Sequence, residues 1–223
     1  MLLEKLSDVK GIEWIRLHYA YPAGFPTEIL RVMRERDNIC KYLDMPLQHV
    51  SDRMLKAMRR GINREKTIAL INKIREEVPG IAIRTTLIAG YPGETEEDFQ
   101  DLLAFVKEMR FNRLGVFEYS HEENTRAYEF EDDVPAEVKE FRVATIMAAQ
   151  QDISFDLNSE MMGKRLKVII DRREGEYWIG RTEFDSPEVD NEVLITGEVP
   201  AIGEFCMVEI FDTAEFDLFG QVV

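Results

Sequence analysis

RTTLIAGYPGETEEDF, residues 84–99, is the stretch from which the architecture can be read. Its apolar start belongs to a strand predicted over Ile81–Ala89. Gly90 and Gly93 then mark a strand-to-helix turn, where missing Cβ atoms let the backbone approach a flat ligand closely. Thr95 followed by Asp98 resembles a capping box, and Glu96 and Glu97 complement the positive end of the helix that starts there. Phe99, Leu102, Leu103 and Val106 fall at i, i+3, i+4 and i+7, a single apolar stripe suited to lie against a sheet. A strand, a tight turn and an amphipathic helix make one βα unit. The GxxxxGK[ST] pattern of a P-loop is absent.

Reading outward, the same unit recurs. Strands are predicted at Trp14–Tyr19, Tyr42–Leu47 and Leu114–Tyr119. Ser51 caps a helix that runs to Met58 and stops at Gly61, and the next helix starts near Arg64 and ends at Pro79 and Gly80. Repeated βα units from Ile12 to about Asn158 predict an α/β fold, a partial (βα) barrel with a parallel sheet. After Pro135 a long helix leads toward Met162, and then the texture changes. RLKVIID, YWIGRT, EVLIT, FCMVEIF and DLFGQVV are short strands separated by Gly, Pro, Asp and Asn turn signals. Five strands in so short a span predict a small antiparallel, OB-like β-barrel. The expected division is 1–159 for the α/β part and 160–223 for the barrel.

Composition narrows the function. At 45% hydrophobic and 32% charged, 223 residues can bury a real core. With 28 basic and 43 acidic side chains the formal net charge is -15, which argues against general attraction to nucleic acid or anionic lipid. The barrel segment alone holds 15 acidic and 6 basic residues, a net of -9. A barrel that grips RNA ordinarily shows a basic face with interleaved aromatics. This one has the aromatics without the charge, so a basic partner fits it better. The two cysteines, Cys40 and Cys206, exclude a disulfide framework, a CxxC redox pair and a self-contained thiolate metal site, and read as core thiols. No apolar stretch reaches membrane-spanning length and no secretory core is present, so the chain reads as cytosolic.

In parallel βα arrays ligands gather at the C-terminal ends of the strands. HYAYP (18–22), PLQHVS (46–51), TTLIAGYPGET (85–95) and VFEYS (116–120) occupy those places. The Gln48 amide can bond a ribose hydroxyl and the His49 imidazole can reach a substrate; alternatively both only satisfy the local backbone. Arg60 can clamp a carboxylate or, equally, complement a helix C-terminus. His18 and His121 have no partner at metal-ligand spacing.

The phrases RLHYAYP, YLDMPLQHVSDRMLKAMRRG, RTTLIAGYPGETEEDF, RLGVFEYSHEENT and GRTEFDSPEVDNEV, in this order and spacing, resemble the radical-SAM methylthiotransferases across essentially the whole chain. Within that family the likeness is greatest to the branch that methylthiolates an aspartate on the twelfth protein of the small ribosomal subunit. The resemblance implies S-adenosylmethionine bound beside an iron–sulfur cluster, and a final barrel that is a substrate-holding TRAM domain. It assigns Gln48 to the ribose, Arg60 to the methionine carboxylate, and Thr86 with Ile88 to the ribose and adenine side. Tyr19 falls near the methionyl group, while Gly90, Phe117 and Tyr119 wall the adenine pocket. In that family a reduced 4Fe-4S cluster cleaves the cofactor to a 5′-deoxyadenosyl radical that attacks the aspartate Cβ, and a second 4Fe-4S cluster delivers the methylated sulfur.

The family's radical cluster needs a CxxxCxxC motif and its second cluster three more cysteines, none of which this sequence contains. The chain is therefore expected to be the C-terminal portion of a longer enzyme and inactive alone. The expected partner is a basic small-subunit ribosomal protein, with no direct grip on nucleic acid and no membrane; the oligomeric state stays open. Two alternatives stand beside this. A tRNA methylthiotransferase shares the architecture but typically shows a QSGS-like turn where QHVS stands here. A non-catalytic module recognising a basic protein would leave the strand-end phrases without a use.

Overall fold

A computed structural model describes residues 2–223. In chain order the elements are α1 Leu2–Ser7, β1 Ile15–Leu17, α2 Ile29–Glu35, β2 Ile39–Asp44, α3 Asp52–Ala57, α4 Arg64–Glu77, β3 Ala82–Ala89, α5 Glu96–Met109, β4 Arg113–Glu118, α6 Ala136–Ser159, β5 Arg165–Glu174, β6 Tyr177–Arg181, β7 Glu192–Thr196, β8 Phe205–Thr213 and β9 Asp217–Val222. The first four strands form one sheet in the order β1-β2-β3-β4, with β3 and β4 parallel. The last five close into a barrel, β5-β6-β7-β9-β8. By internal contacts the chain divides into two compact units. One holds the residues up to Arg16, Val32–Tyr42 and Gln151–Val223; the other holds Leu17–Arg31 and Leu43–Gln150.

Two of the sheet strands lie almost where the apolar runs place them. The second differs from its predicted span of Tyr42–Leu47: it begins at Ile39 and ends at Asp44. Ile39 and Cys40 are fully buried and extend the strand backward, while Pro46, with no N–H to give, closes it. The helix stop and start signals hold. Asn63 caps α4 through its side chain, and the capping box at Thr95 and Asp98 is formed in both directions. Along α5 the buried stripe is Phe99, Leu102, Phe105, Val106 and Met109; Leu103 is only half-buried. Ser51 precedes α3, yet its hydroxyl makes no cap; it donates to the Asp98 carboxylate at 2.5 Å.

The barrel is not wholly antiparallel. β7 and β9 run parallel, Val193 opposite Leu218 and Ile195 opposite Gly220, whereas the other four pairings are antiparallel. Strand order cannot be read from strand count, because a crossover that skips β8 leaves no local trace in the sequence. The barrel core is Val168, Ile170, Val193, Ile195, Val208, Ile210 and Leu218, the inward positions of alternating strands. Gly220 is fixed by packing: a Cβ there would lie 2.3 Å from Val208 Cγ1 and 3.0 Å from the Glu209 carbonyl.

A candidate cofactor site on the open face of the sheet

Strand β3 alternates along its length, and the alternation builds the site. Thr85, Leu87 and Ala89 are buried on one face, while Arg84, Thr86 and Ile88 are half-exposed on the other. Parallel register sets Thr86 beside Gly115 and Ile88 beside Phe117. Gly115 leaves the β4 side of this face low, and Phe117 stands 60% exposed above it.

Gln48 meets β3 from the segment after β2. Its N–H donates to the Thr86 carbonyl at 2.9 Å and its carbonyl accepts from the Ile88 N–H at 2.8 Å, a one-residue parallel bridge to β3. It holds φ at 72°, a left-handed conformation that costs a non-glycine residue energy and marks sites where geometry is over-determined. The Gln48 Oε1 is buried with no hydrogen-bond partner. A buried acceptor left unpaired costs about 1–3 kcal/mol, so its natural complement is a donor from a bound molecule.

Arg60 approaches from the end of α3. Its guanidinium lies 4.6 Å from the Tyr21 ring centroid and donates to the Pro46 carbonyl, while the Tyr21 hydroxyl donates back to the Arg60 carbonyl at 2.7 Å. The head group is thus positioned in advance, with Nε buried and unpartnered. Burial lowers its pKa below the usual arginine value, without threatening its charge. A fixed cation with an unused donor fits a carboxylate.

Tyr19 is tied to this face by its backbone. Its N–H donates to Asp44 Oδ2 at 3.1 Å, and Asp44 Oδ1 accepts from Arg84 Nη1 at 3.0 Å, which also reaches Thr86 Oγ1 at 3.2 Å. The Tyr19 side chain is 83% exposed and its φ is 56°. Asp44 and Arg84 are the residues that sequence reasoning passed over. The signal for Arg84 was its place two residues before Thr86 in an apolar strand, which puts both on one face; Asp44, at the end of β2, had no such signal.

Gly90 and Tyr119 belong to a neighbouring cluster. The Gly90 N–H donates to Glu94 Oε2 at 2.8 Å, and a Cβ on Gly90 would lie 2.3 Å from Lys139 Cγ. The space its hydrogen leaves is filled by the Lys139 stem, whose ammonium is held by Asp132 and lies 5.2 Å from the Tyr119 ring centroid. Tyr119 packs edge-on to Tyr91 at 5.2 Å, and its N–H donates to the Ala89 carbonyl at 2.8 Å.

His49, next to Gln48, is consumed by architecture. Its ring is fully buried, and Nδ1 accepts from the Val50 and Ser51 N–H groups at 2.9 and 3.0 Å. Nε2 lies 3.6 Å from Glu94, whose other oxygen accepts from Arg142 at 2.8 Å. Nδ1 thus satisfies the local backbone, while Nε2 is buried without a hydrogen-bond partner.

S-adenosylmethionine therefore fits the residues present, through the unpaired Gln48 oxygen, the positioned Arg60 head and the low Gly115 floor. An iron–sulfur cluster does not. The Cys40 thiol is pushed up to about 11 by burial and Cys206 is raised by burial as well, which opposes thiolate ligation. Among the described residues no three His, Cys, Asp or Glu side chains are grouped to hold a metal ion. Among them, too, no helix is long and apolar enough to cross a membrane.

Comparison with known proteins bears on the family and the fold. The radical SAM superfamily model matches residues 1–106 and the TRAM domain model residues 162–223. The chain is 61% identical over 224 residues to the ribosomal protein uS12 methylthiotransferase RimO of Cytophaga hutchinsonii, covering 100% of this chain and 51% of that one. It is 58% identical to RimO of Flavobacterium psychrophilum, covering 99% and 51%, and 56% identical to RimO of Bacteroides fragilis, covering 100% and 52%. It thus spans about half the length of the curated relatives it matches. Among solved structures, coproporphyrinogen III oxidase (HemN) from Escherichia coli shares the fold at a TM-score of 0.54 and 18% identity, over 94% of this chain and 50% of that one.

Proposed function

The chain belongs to the radical SAM superfamily and ends in a TRAM domain, and from that premise we propose that it forms the cofactor-holding and substrate-holding part of a uS12 methylthiotransferase of the RimO type. The observation that supports this most directly is full-length similarity, 52–61% identity over essentially the entire chain, to relatives bearing that one name.

In this reading the Gln48 carboxamide oxygen accepts a hydrogen bond from a ribose hydroxyl and Arg60 clamps the methionine carboxylate. Thr86 and Ile88 line the ribose and adenine side. Phe117 offers a ring to the base, Gly90 and Tyr119 close that end of the pocket, and Tyr19 covers the methionyl group. Bound S-adenosylmethionine supplies the hydrogen-abstracting chemistry by which a methylthio group reaches the Cβ of a uS12 aspartate. The chain's own residues bind, orient and exclude water. The two 4Fe-4S clusters of that reaction require ligands other than Cys40 and Cys206, so this chain alone does not turn over. The barrel, at a net of -9, attracts a basic protein and repels RNA, which favours uS12 over tRNA as the substrate. A cytoplasmic location follows from a ribosomal-protein substrate.

Calorimetry of this chain with S-adenosylmethionine, then with a basic uS12 peptide, tests the reading. Binding of both is expected, with cofactor binding lost in Gln48→Ala. Absence of cofactor binding, or equal affinity for the peptide when Glu183, Glu188 and Glu192 are replaced by lysine, would overturn it. Anaerobic iron and sulfide reconstitution is expected to give no 5′-deoxyadenosine.

A further inference from the structure

The net charge of -15 is an average that hides local runs of opposite sign; in one of them, residues 164–173, Arg165, Lys167 and Arg172 are paired with Glu209, Glu13 and Glu192. Residues 51–66, SDRMLKAMRRGINREK, hold six basic and two acidic side chains. The structure accounts for three of the cations: Arg53 pairs with Asp98, Arg64 with Asp101, and Arg60 is committed to Tyr21 and Pro46. The other three, Lys56, Arg59 and Lys66, are exposed, and all of them line one open cavity of about 570 Å³ between α3 and α4, floored by Leu55 and Ile62. Asp52, the one acidic residue in the lining, accepts from the Arg64 N–H at 2.7 Å and keeps its charge, so the lining is net positive, three cations against one carboxylate. Among the described residues no ion pair neutralises any of the three.

We propose that this surface is a docking site for the phosphate groups of an RNA backbone. Three cations without ion-pair partners, outnumbering the single Asp52 carboxylate around one concavity, suit a run of phosphodiesters. At physiological ionic strength the Debye length is about 8 Å, so the acidic remainder of the chain is largely screened from a ligand seated there. The anion preference stands on the patch alone. The choice of RNA over another polyanion rests on the ribosomal-protein reading above, since a ribosomal protein is met beside RNA.

The test is fluorescence anisotropy of the full chain with a labelled single-stranded RNA and, separately, a labelled basic uS12 peptide. RNA binding is expected to fall with a log–log salt slope of about -2, the value for three phosphates on a single strand. The triple variant K56Q/R59Q/K66Q is expected to lose affinity by about an order of magnitude and to flatten that slope. The charge-conserving variant K56R/R59K/K66R should retain both, which separates charge from damage to the fold. No RNA binding by the wild-type chain, an unchanged slope in the triple variant, or equal displacement by polyglutamate would overturn the proposal. So would saturation by inorganic phosphate or a mononucleotide at the RNA's own concentration, which would make the cavity a small-molecule site. Peptide binding without RNA binding sinks this inference alone; RNA binding without peptide binding sinks the uS12 reading alone.

Discussion

Gln48 and His49 are neighbours in sequence and opposites in chemistry. The imidazole is fully buried, with Nδ1 accepting from two backbone N–H groups and Nε2 lying 3.6 Å from Glu94 without a hydrogen bond. The Gln48 residue is half-buried beside β3, and its carboxamide oxygen is buried and unpaired. The ring is tied through Nδ1 to the chain's own backbone, whereas the carboxamide oxygen is tied to nothing within the chain, and in that sense one is closed and the other open. The difference separates an imidazole held by the backbone it serves from a carboxamide oxygen left available to a donor from a bound molecule.

The largest test of that contrast falls on the closed side. Glu94→Ala leaves Arg142, itself only 6% exposed at its side chain, with the longer contact to the exposed Glu96 at 3.4 Å as its remaining carboxylate, and removes the acceptor for the Gly90 N–H. Breaking such a buried pair costs about 3–5 kcal/mol, to be read as a lowered midpoint in urea unfolding. A loss below 1 kcal/mol would mean that the closed side is not the structural one.

On the open side the effect should move from stability to binding. Arg60→Ala is expected to weaken S-adenosylmethionine affinity by about 1.5–3 kcal/mol, the worth of a charge-assisted hydrogen bond, with a much smaller change in the unfolding midpoint. Calorimetry on the folded variant checks the first and urea unfolding the second. If both fall together, Arg60 is part of the frame that holds Tyr21 and Pro46 and nothing more.

A smaller, pH-dependent difference is expected at Asp98, again on the closed side. Burial pushes its carboxyl up, but hydrogen bonds from Ser51, Thr95 and Arg53 together outweigh burial and hold it well below its ordinary 3.8. A depressed carboxyl stabilises the fold above its unfolded value, and that contribution disappears as pH falls through the folded value. The stability gap between wild type and Asp98→Asn should therefore be level from pH 7 to about 5 and shrink below 3.8. A gap that stays constant into the acid range would remove Asp98 from the set of functioning caps.

Local chemistry was legible in the sequence and long-range closure was not. The capping box, the α5 stripe and the five barrel strands follow from spacing of a few residues, and so do the strand ends that hold Gln48, Thr86 and Ile88. The parallel β7–β9 pairing and the extension of β2 back to Ile39 depend on partners distant in the chain. Gly90 illustrates the same boundary. Its positive φ of 79° was legible from the turn, whereas the occupant of the space beside it, the stem of Lys139 on α6, was not. Asp44 and Arg84 were missed because each looks like an ordinary strand-end polar residue until the other is seen at 3.0 Å.

The smallest expected effect has the opposite sign from the others. Gln48 pays for its position twice, through a left-handed φ of 72° and through a buried oxygen without a partner. Glycine adopts that φ without the Cβ clash and removes the oxygen altogether. Its N–H and carbonyl still bridge to Thr86 and Ile88, since those bonds use backbone alone. Gln48→Gly should therefore leave the chain as stable as wild type or more stable by about 1 kcal/mol, while lowering its affinity for S-adenosylmethionine. Urea unfolding and calorimetry on the same preparation decide it. A variant that is less stable yet binds the cofactor normally would place Gln48 with His49 among the residues that serve the fold, and the two neighbours would no longer differ in kind.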